Sequence, residues 1–164
     1  MFNKETSEAI ELLKRMISIP SFSRDEKECA DMLEKYILEE GYIPSRSGNN
    51  VWILGSNYDR SKPTLLLNSH IDTVKPVDGW NFDPFLPVEN EGKLYGLGSN
   101  DAGASVVSLL QVFFLLSKEK QTYNLIFAAS AEEEISGSNG MESLLKELPK
   151  IDFAIVGEPT NMQL

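Results

Sequence analysis

His70 and Asp72 stand two residues apart, Asp101 follows a Gly-Leu-Gly segment, Glu132, Glu133 and Glu134 are consecutive, and Glu158 lies in a Gly-Glu-Pro-Thr turn. One imidazole with several carboxylates is ligand chemistry for zinc or a similar divalent ion such as cobalt, whereas an all-oxygen set would suit calcium or magnesium. Carboxylates gathered at one place repel each other and raise each other's pKa unless a cation neutralises them. With His70 at a strand end, Asp72 points to the same face. It can then hold the second ring nitrogen of His70, which fixes the metal-binding tautomer. Neighbours in the glutamate triplet can take different tasks, one as a ligand and one as the general base toward a water. Taken singly, each feature has a plainer explanation: a satisfied core histidine, a solvated charge run, a turn residue between Gly157 and Pro159. Their shared position beyond strand ends favours a metal site.

The elements that deliver these residues can be read from the apolar pattern. Leu65-Leu66-Leu67, within residues 64–68, is apolar on both faces, as expected of a strand in the middle of a covered sheet. Residues 123–129 and 153–156 are of the same kind. A helix over 102–118 is apolar nearly all round and expected to be central, and a shorter one over 141–147 precedes the third strand. Upstream, Ile10, Leu13 and Ile17, joined by Ala9, Leu12 and Met16, keep helical spacing until Pro20. A second helix over 24–40 has capping-box spacing at Ser23 and Glu26 and closes at Gly41. Strands at 42–45 and 51–54, around a polar turn at 47–50, suggest a hairpin. Strands alternating with helices predict an α/β fold, a mostly parallel sheet with helices on both faces. In such sheets ligands bind beyond the carboxyl ends of the strands. His70, Glu132–Glu134 and Glu158 all follow strand candidates, and Asp101 opens the central helix. The Gly96-Leu97-Gly98 segment lacks the third glycine of a dinucleotide fingerprint and the lysine of a P-loop, so it does not read as a phosphate cradle.

The 164 residues, 41% of them hydrophobic, suffice for one ordinary domain with a real core. A formal charge of −10 disfavours nucleic acid or an acidic membrane surface and suits a cation or a polar small molecule. The single cysteine, Cys29, shares an apolar helical face with Ala30, Leu33 and Ile37 and is expected to pack as a small hydrophobe. Residues 1–17 are amphipathic and charged, unlike a secretory signal, so a cytoplasmic protein is expected. The most apolar window, 106–116, is too short for a bilayer, which takes about 20 residues.

Five ordered segments carry a family resemblance: residues 69–76 around His70 and Asp72; Trp80 with Asp83-Pro84-Phe85; 92–101 ending in Asp101; 132–137; and 157–160. Together they resemble the two-zinc amidohydrolase family of acetylornithine deacetylase, succinyl-diaminopimelate desuccinylase, aminoacylase and glutamate carboxypeptidase, over nearly the whole chain. The resemblance implies a zinc-exopeptidase-like catalytic domain holding two divalent metal ions, zinc first and cobalt as an alternative. It implies that His70 and Glu158 hold one ion, Glu134 the other, and that Asp101 bridges them. Glu133 would be the general base, Asp72 would orient His70, and Glu132 would fill the outer acidic position. A cis peptide is expected at Asp101-Ala102.

Leu97 replaces a common Arg of the family, and Ala102-Gly103-Ala104 replaces Met-Lys-Gly; no ligand is lost by either change. Residues 96–105 most resemble a bacterial branch of acetylornithine deacetylases, which serves arginine synthesis, so the implied reaction is hydrolysis of the amide bond of an N-acyl amino acid. A related dipeptidase, carboxypeptidase or desuccinylase is the alternative within that chemistry, and an inactive metal-binding fragment is the alternative outside it. The family continues into a lid domain, usually the homodimer contact, and returns a final histidine ligand. With His70 as its one histidine, residues 1–164 are therefore expected to be the N-terminal portion of the catalytic domain, with the second metal site incomplete.

Overall fold

A computed structural model describes residues 3–160; Met1, Phe2 and the last four residues lie outside them. Helix α1 (Lys4–Ile17) starts where the Asn3 side chain accepts the Thr6 amide and buries Leu12, Leu13, Met16 and Ile17. Helix α2 (Lys27–Glu39) ends at Gly41, whose φ of 86° lets the Tyr42 amide reach back to Ile37 O. The expected capping box is absent. The helix begins later than predicted, Glu26 makes no side-chain cap, and the Ser23 hydroxyl instead donates to Asp72.

Strands β1 (Ser45–Ser47) and β2 (Asn50–Leu54) form the predicted hairpin around Gly48 and Asn49. The first strand starts at Ser45 rather than Tyr42. Pro44 has no N–H to give a ladder, and the Tyr42 ring turns into the core to stack on Phe114 at 4.9 Å. Strands β3 (Thr64–His70), β6 (Asn124–Ser130) and β7 (Phe153–Val156) run parallel, with β2 antiparallel on β6, giving the order β1-β2-β6-β3-β7. Strands β4 (Val88–Asn90) and β5 (Lys93–Tyr95), which were not foreseen, make a separate small hairpin.

Alternation along β3 and β6 splits the core. Leu67, Leu125 and Phe127 face α1, α2 and helix α3 (Ala104–Ser117), with Cys29 among them. Leu66, Ile126 and Ala128 face the other way, onto Leu144 of the short helix α4 (Met141–Leu144). Helices on both faces of the sheet are thus present. Two burial expectations change. Strand β7 pairs on one side only and Phe153 is 65% exposed, so it is an edge rather than a covered strand. Helix α3 buries Val106, Leu110 and Phe113 completely, yet Val112 and Leu115 stay exposed because its outer face meets no other element among the described residues. With the preceding turn it makes a 19-residue stretch, Ser99–Ser117, long and apolar enough by composition to cross a membrane. That is longer than the window read from the sequence, and its contacts with α1, β3 and β6 are those of a core helix.

Gly98 shows why glycine occupies the Gly-Leu-Gly segment. Its φ is 71°, and a Cβ there would lie 2.6 Å from the Thr73 methyl group, so close packing, not phosphate binding, demands it. Gly98→Ala should cost about 1–3 kcal/mol of stability, read as a lower urea midpoint with an unchanged slope.

Candidate metal centre

His70, the last residue of β3, is 1% exposed, and its ring spans two sets of partners. Nδ1 lies 2.9 Å from the backbone oxygen of Asp72 and 3.3 Å from Asp72 Oδ1. The two-residue spacing put the carboxylate on this nitrogen; the carbonyl of the same residue is nearer, and a ring N–H donating to it leaves Nε2 free for a metal. Nε2 faces Asp101 Oδ1 at 3.2 Å, Glu158 Oε2 at 3.6 Å and Glu133 Oε2 at 3.8 Å. Ligand atoms of His70, Asp101 and Glu134 all lie within 4.8 Å of one another. The tips of β3, β6 and β7 and the turn before α3 (Ser99–Gly103) therefore meet, as parallel strands with aligned carboxyl ends must. The Asp101-Ala102 peptide bond is cis, at the position expected.

Asp72 does more than the sequence suggested. Its carboxylate is fully buried and accepts the Ser23 hydroxyl at 2.7 Å, the Glu133 amide at 3.0 Å and the Glu134 amide at 3.1 Å. It thus anchors the turn that carries two of the acidic side chains. Glu132 is not a solvated charge: it is 6% exposed, has φ 53°, and accepts the Asn139 backbone amide at 3.3 Å and the Asn139 side-chain Nδ2 at 2.9 Å. Ser23 and Glu26 were missed as site residues because their spacing matched a helix cap.

The electrostatics favour a cation. Burial works against a charged imidazole, but the Asp72 and Glu158 carboxylates outweigh it and raise the His70 pKa to about 9. Burial also opposes ionisation of Asp72, yet His70, Ser23 and the two amides hold its pKa below the usual carboxylate range. Glu134 is pushed up by burial and then by the charge of Asp101; Glu158 is pushed up by burial and by Glu133, Asp101 and Glu134. A buried imidazole nitrogen and carboxylate oxygens directed at one point, each carboxylate opposing the next, fit a divalent cation. Because a ligating imidazole must be neutral, binding should displace the His70 proton. Zinc titration of the chain at pH 7.5, by calorimetry in buffers of different ionisation enthalpy, should show about one proton released per ion. The affinity should fall about tenfold per pH unit below the His70 pKa.

Comparison with known proteins gives a consistent result. The sequence pattern of peptidase family M20/M25/M40 matches residues 66–164. A succinyl-diaminopimelate desuccinylase of Delftia acidovorans is 28% identical over 96% of the chain and 45% of its own length. One of Buchnera aphidicola is 30% identical over 94% of the chain and 43% of its own length. The chain thus spans about half the length of the curated relatives it matches. Among solved structures, an M20 family metallo-carboxypeptidase from Sulfolobus solfataricus superposes with a TM-score of 0.70 at 25% identity, covering 95% of this chain and 37% of that one. A dinuclear metal binding peptidase of the M20 family from Bacillus subtilis shares the fold, with a TM-score of 0.70 at 17% identity over 93% of this chain and 42% of its own.

Proposed function

Since the chain belongs to peptidase family M20/M25/M40, we propose that it carries the metal-binding and proton-transferring groups of a hydrolase that cleaves the amide bond of an N-acyl amino acid. The observation that supports this most directly is the convergence of His70, Asp101, Glu134 and Glu158 with Glu133 at the strand ends. His70 and Glu158 are assigned to one ion, Glu134 to the second, and Asp101 to both. Bound there, divalent ions, zinc first and cobalt as the alternative, would polarise the amide carbonyl and lower the pKa of a water toward about 7. Glu133, half exposed and held at its amide by Asp72, would take a proton from the attacking water as its oxygen bonds to the carbonyl carbon, and give that proton to the amine nitrogen as the C–N bond breaks. Asp72 keeps His70 in the orientation that presents Nε2. Glu132 points away into its own hydrogen bonds with Asn139 and has no part in the proton transfer.

A groove of about 360 Å³, lined by Asn68, Ser130, Glu133, Met141 and Glu158, lies beside these groups and suits a small polar substrate. The similarity to succinyl-diaminopimelate desuccinylases supports an N-succinyl substrate. Residues 96–105 support the second reading, N-acetylornithine. We further propose a cytoplasmic protein, on the charged amphipathic helix α1 and on the buried free thiol of Cys29, which burial pushes up to about 12, and, from the family resemblance alone, a homodimer when full length.

Metal analysis of the 164-residue chain should find at least one zinc-like ion, lost in His70→Ala. The intact protein should hydrolyse N-succinyl or N-acetyl amino acids only when metal-loaded. Hydrolysis that survives exhaustive chelation, or a chain that takes up no metal, would overturn the proposal; gel filtration of the intact protein tests the dimer.

A further inference from the structure

Glu26 is a completely buried carboxylate with no cation within 4.0 Å among the described residues. Such a group is costly unless its lone pairs are filled. Although it stands at the N-terminus of α2, it makes no cap there. Its Oε1 accepts the Arg24 amide at 2.6 Å and the Glu132 amide at 3.2 Å, and its Oε2 accepts Asn49 Nδ2 at 2.8 Å. The Glu132 bond closes a separation of 106 residues. Set beside Asp72, which takes the amides of Glu133 and Glu134 at 3.0 Å and 3.1 Å, the pattern is complete: three consecutive N–H groups of one turn are all held by buried carboxylates from two other segments. The left-handed backbone at Glu132, φ 53°, turns its amide toward Glu26 while the next two turn toward Asp72. Close packing supports the same geometry, since a Cβ at Gly137 would fall 2.0 Å from Glu132 Oε2.

We propose that Glu26 is a positioning residue for Glu133: by holding the Glu132 amide it fixes the direction in which the Glu133 carboxylate leaves the turn. This inference rests on Glu133 as the proton-transferring group, and on the proposed hydrolysis. Glu26 does not reach the reacting atoms; it acts through one backbone bond. Its acceptor geometry matters rather than its charge. A glutamine could keep Oε1 on both amides and offer its NH2 to the Asn49 side chain after an amide flip, whereas an aspartate keeps the charge but falls one methylene short.

The test uses the metal-loaded intact protein. Glu26→Asp should lower kcat about 10- to 100-fold, the scale expected for a catalytic group displaced by about 1 Å, with KM and metal content held. Glu26→Gln should restore most of the turnover. In the unmodified protein the amide hydrogens of residues 132–134 should exchange slowly with deuterium, and the Glu132 amide should open in Glu26→Asp. Fast exchange at Glu132 in the unmodified protein overturns the proposal without any variant, even if Glu26→Asp fails to fold. So does full turnover in Glu26→Asp, loss of activity that merely follows metal loss, or a Glu26→Gln variant as impaired as Glu26→Asp. Glu133→Ala separates the levels. Full activity in that variant removes the premise, whereas an inactive Glu133→Ala beside a fully active Glu26→Asp removes only the role of Glu26.

Discussion

Glu133→Ala in the intact protein should lower kcat by about 10²- to 10⁴-fold, the usual worth of a positioned general base, with its metal retained. The side chain lies 3.8 Å from His70 Nε2, close to the donor set, but is half exposed and so free to meet water and substrate. Its backbone is tied to Asp72 and does not depend on the carboxylate that is removed. The fold and the remaining ligands should therefore survive. Steady-state kinetics paired with metal analysis checks this. Lost metal with surviving hydrolysis would show that Glu133 and Glu134 had been assigned the wrong way round.

For Asp72→Asn the larger expected loss is in stability, about 3–5 kcal/mol, because a buried, hydrogen-bonded charge loses its complement. The Ser23 hydroxyl and the Glu133 and Glu134 amides donate to the Asp72 carboxylate, which also lies 3.3 Å from the His70 ring. An amide NH2 would turn one of these contacts into two opposed donors. The Asp72 backbone oxygen that holds the His70 ring at 2.9 Å survives the change, so metal affinity should fall less than stability.

The pH dependence gives a signature of its own. In the metal-free chain the pKa of His70 is raised from 6.5 to about 9, so its contribution to stability is present below 6.5 and disappears as pH rises through about 9. The depressed pKa of Asp72 acts in the opposite sense: its contribution is present above 3.8 and disappears as pH falls through its folded value. Urea unfolding of the metal-free protein should thus show stability falling from pH 6 to pH 9. Asp72→Asn should flatten that slope, since it removes the chief group that favours the protonated ring. An unchanged slope would mean that other carboxylates hold the proton on His70.

The site was legible where chemistry and local pattern coincide. Triple-leucine β3 and the apolar run 123–129 announced strands, and the polar residues just beyond them had to fall together once those strands ran parallel. Asp101 was read from its place at the start of the central helix, whereas its cis peptide bond came from resemblance alone and is found where expected. Burial was less legible at β7 and on the outer face of α3, because an apolar run records what a segment can bury, while exposure depends on what is packed over it.

By itself, then, the sequence determined which residue types gather at the strand ends, the alternation that splits the core between two sheet faces, and the chemistry of a candidate divalent-cation site. The tertiary structure alone decided who holds whom. Ser23 and Glu26 have the spacing of a helix cap, yet one donates to Asp72 across 49 residues and the other accepts from Glu132 across 106. Helix and strand periodicity leave a record in the order of residues because their hydrogen bonds are local or repeated. A single buried carboxylate choosing a distant amide leaves none, since that choice is made only when the segments have packed and each buried donor must find an acceptor.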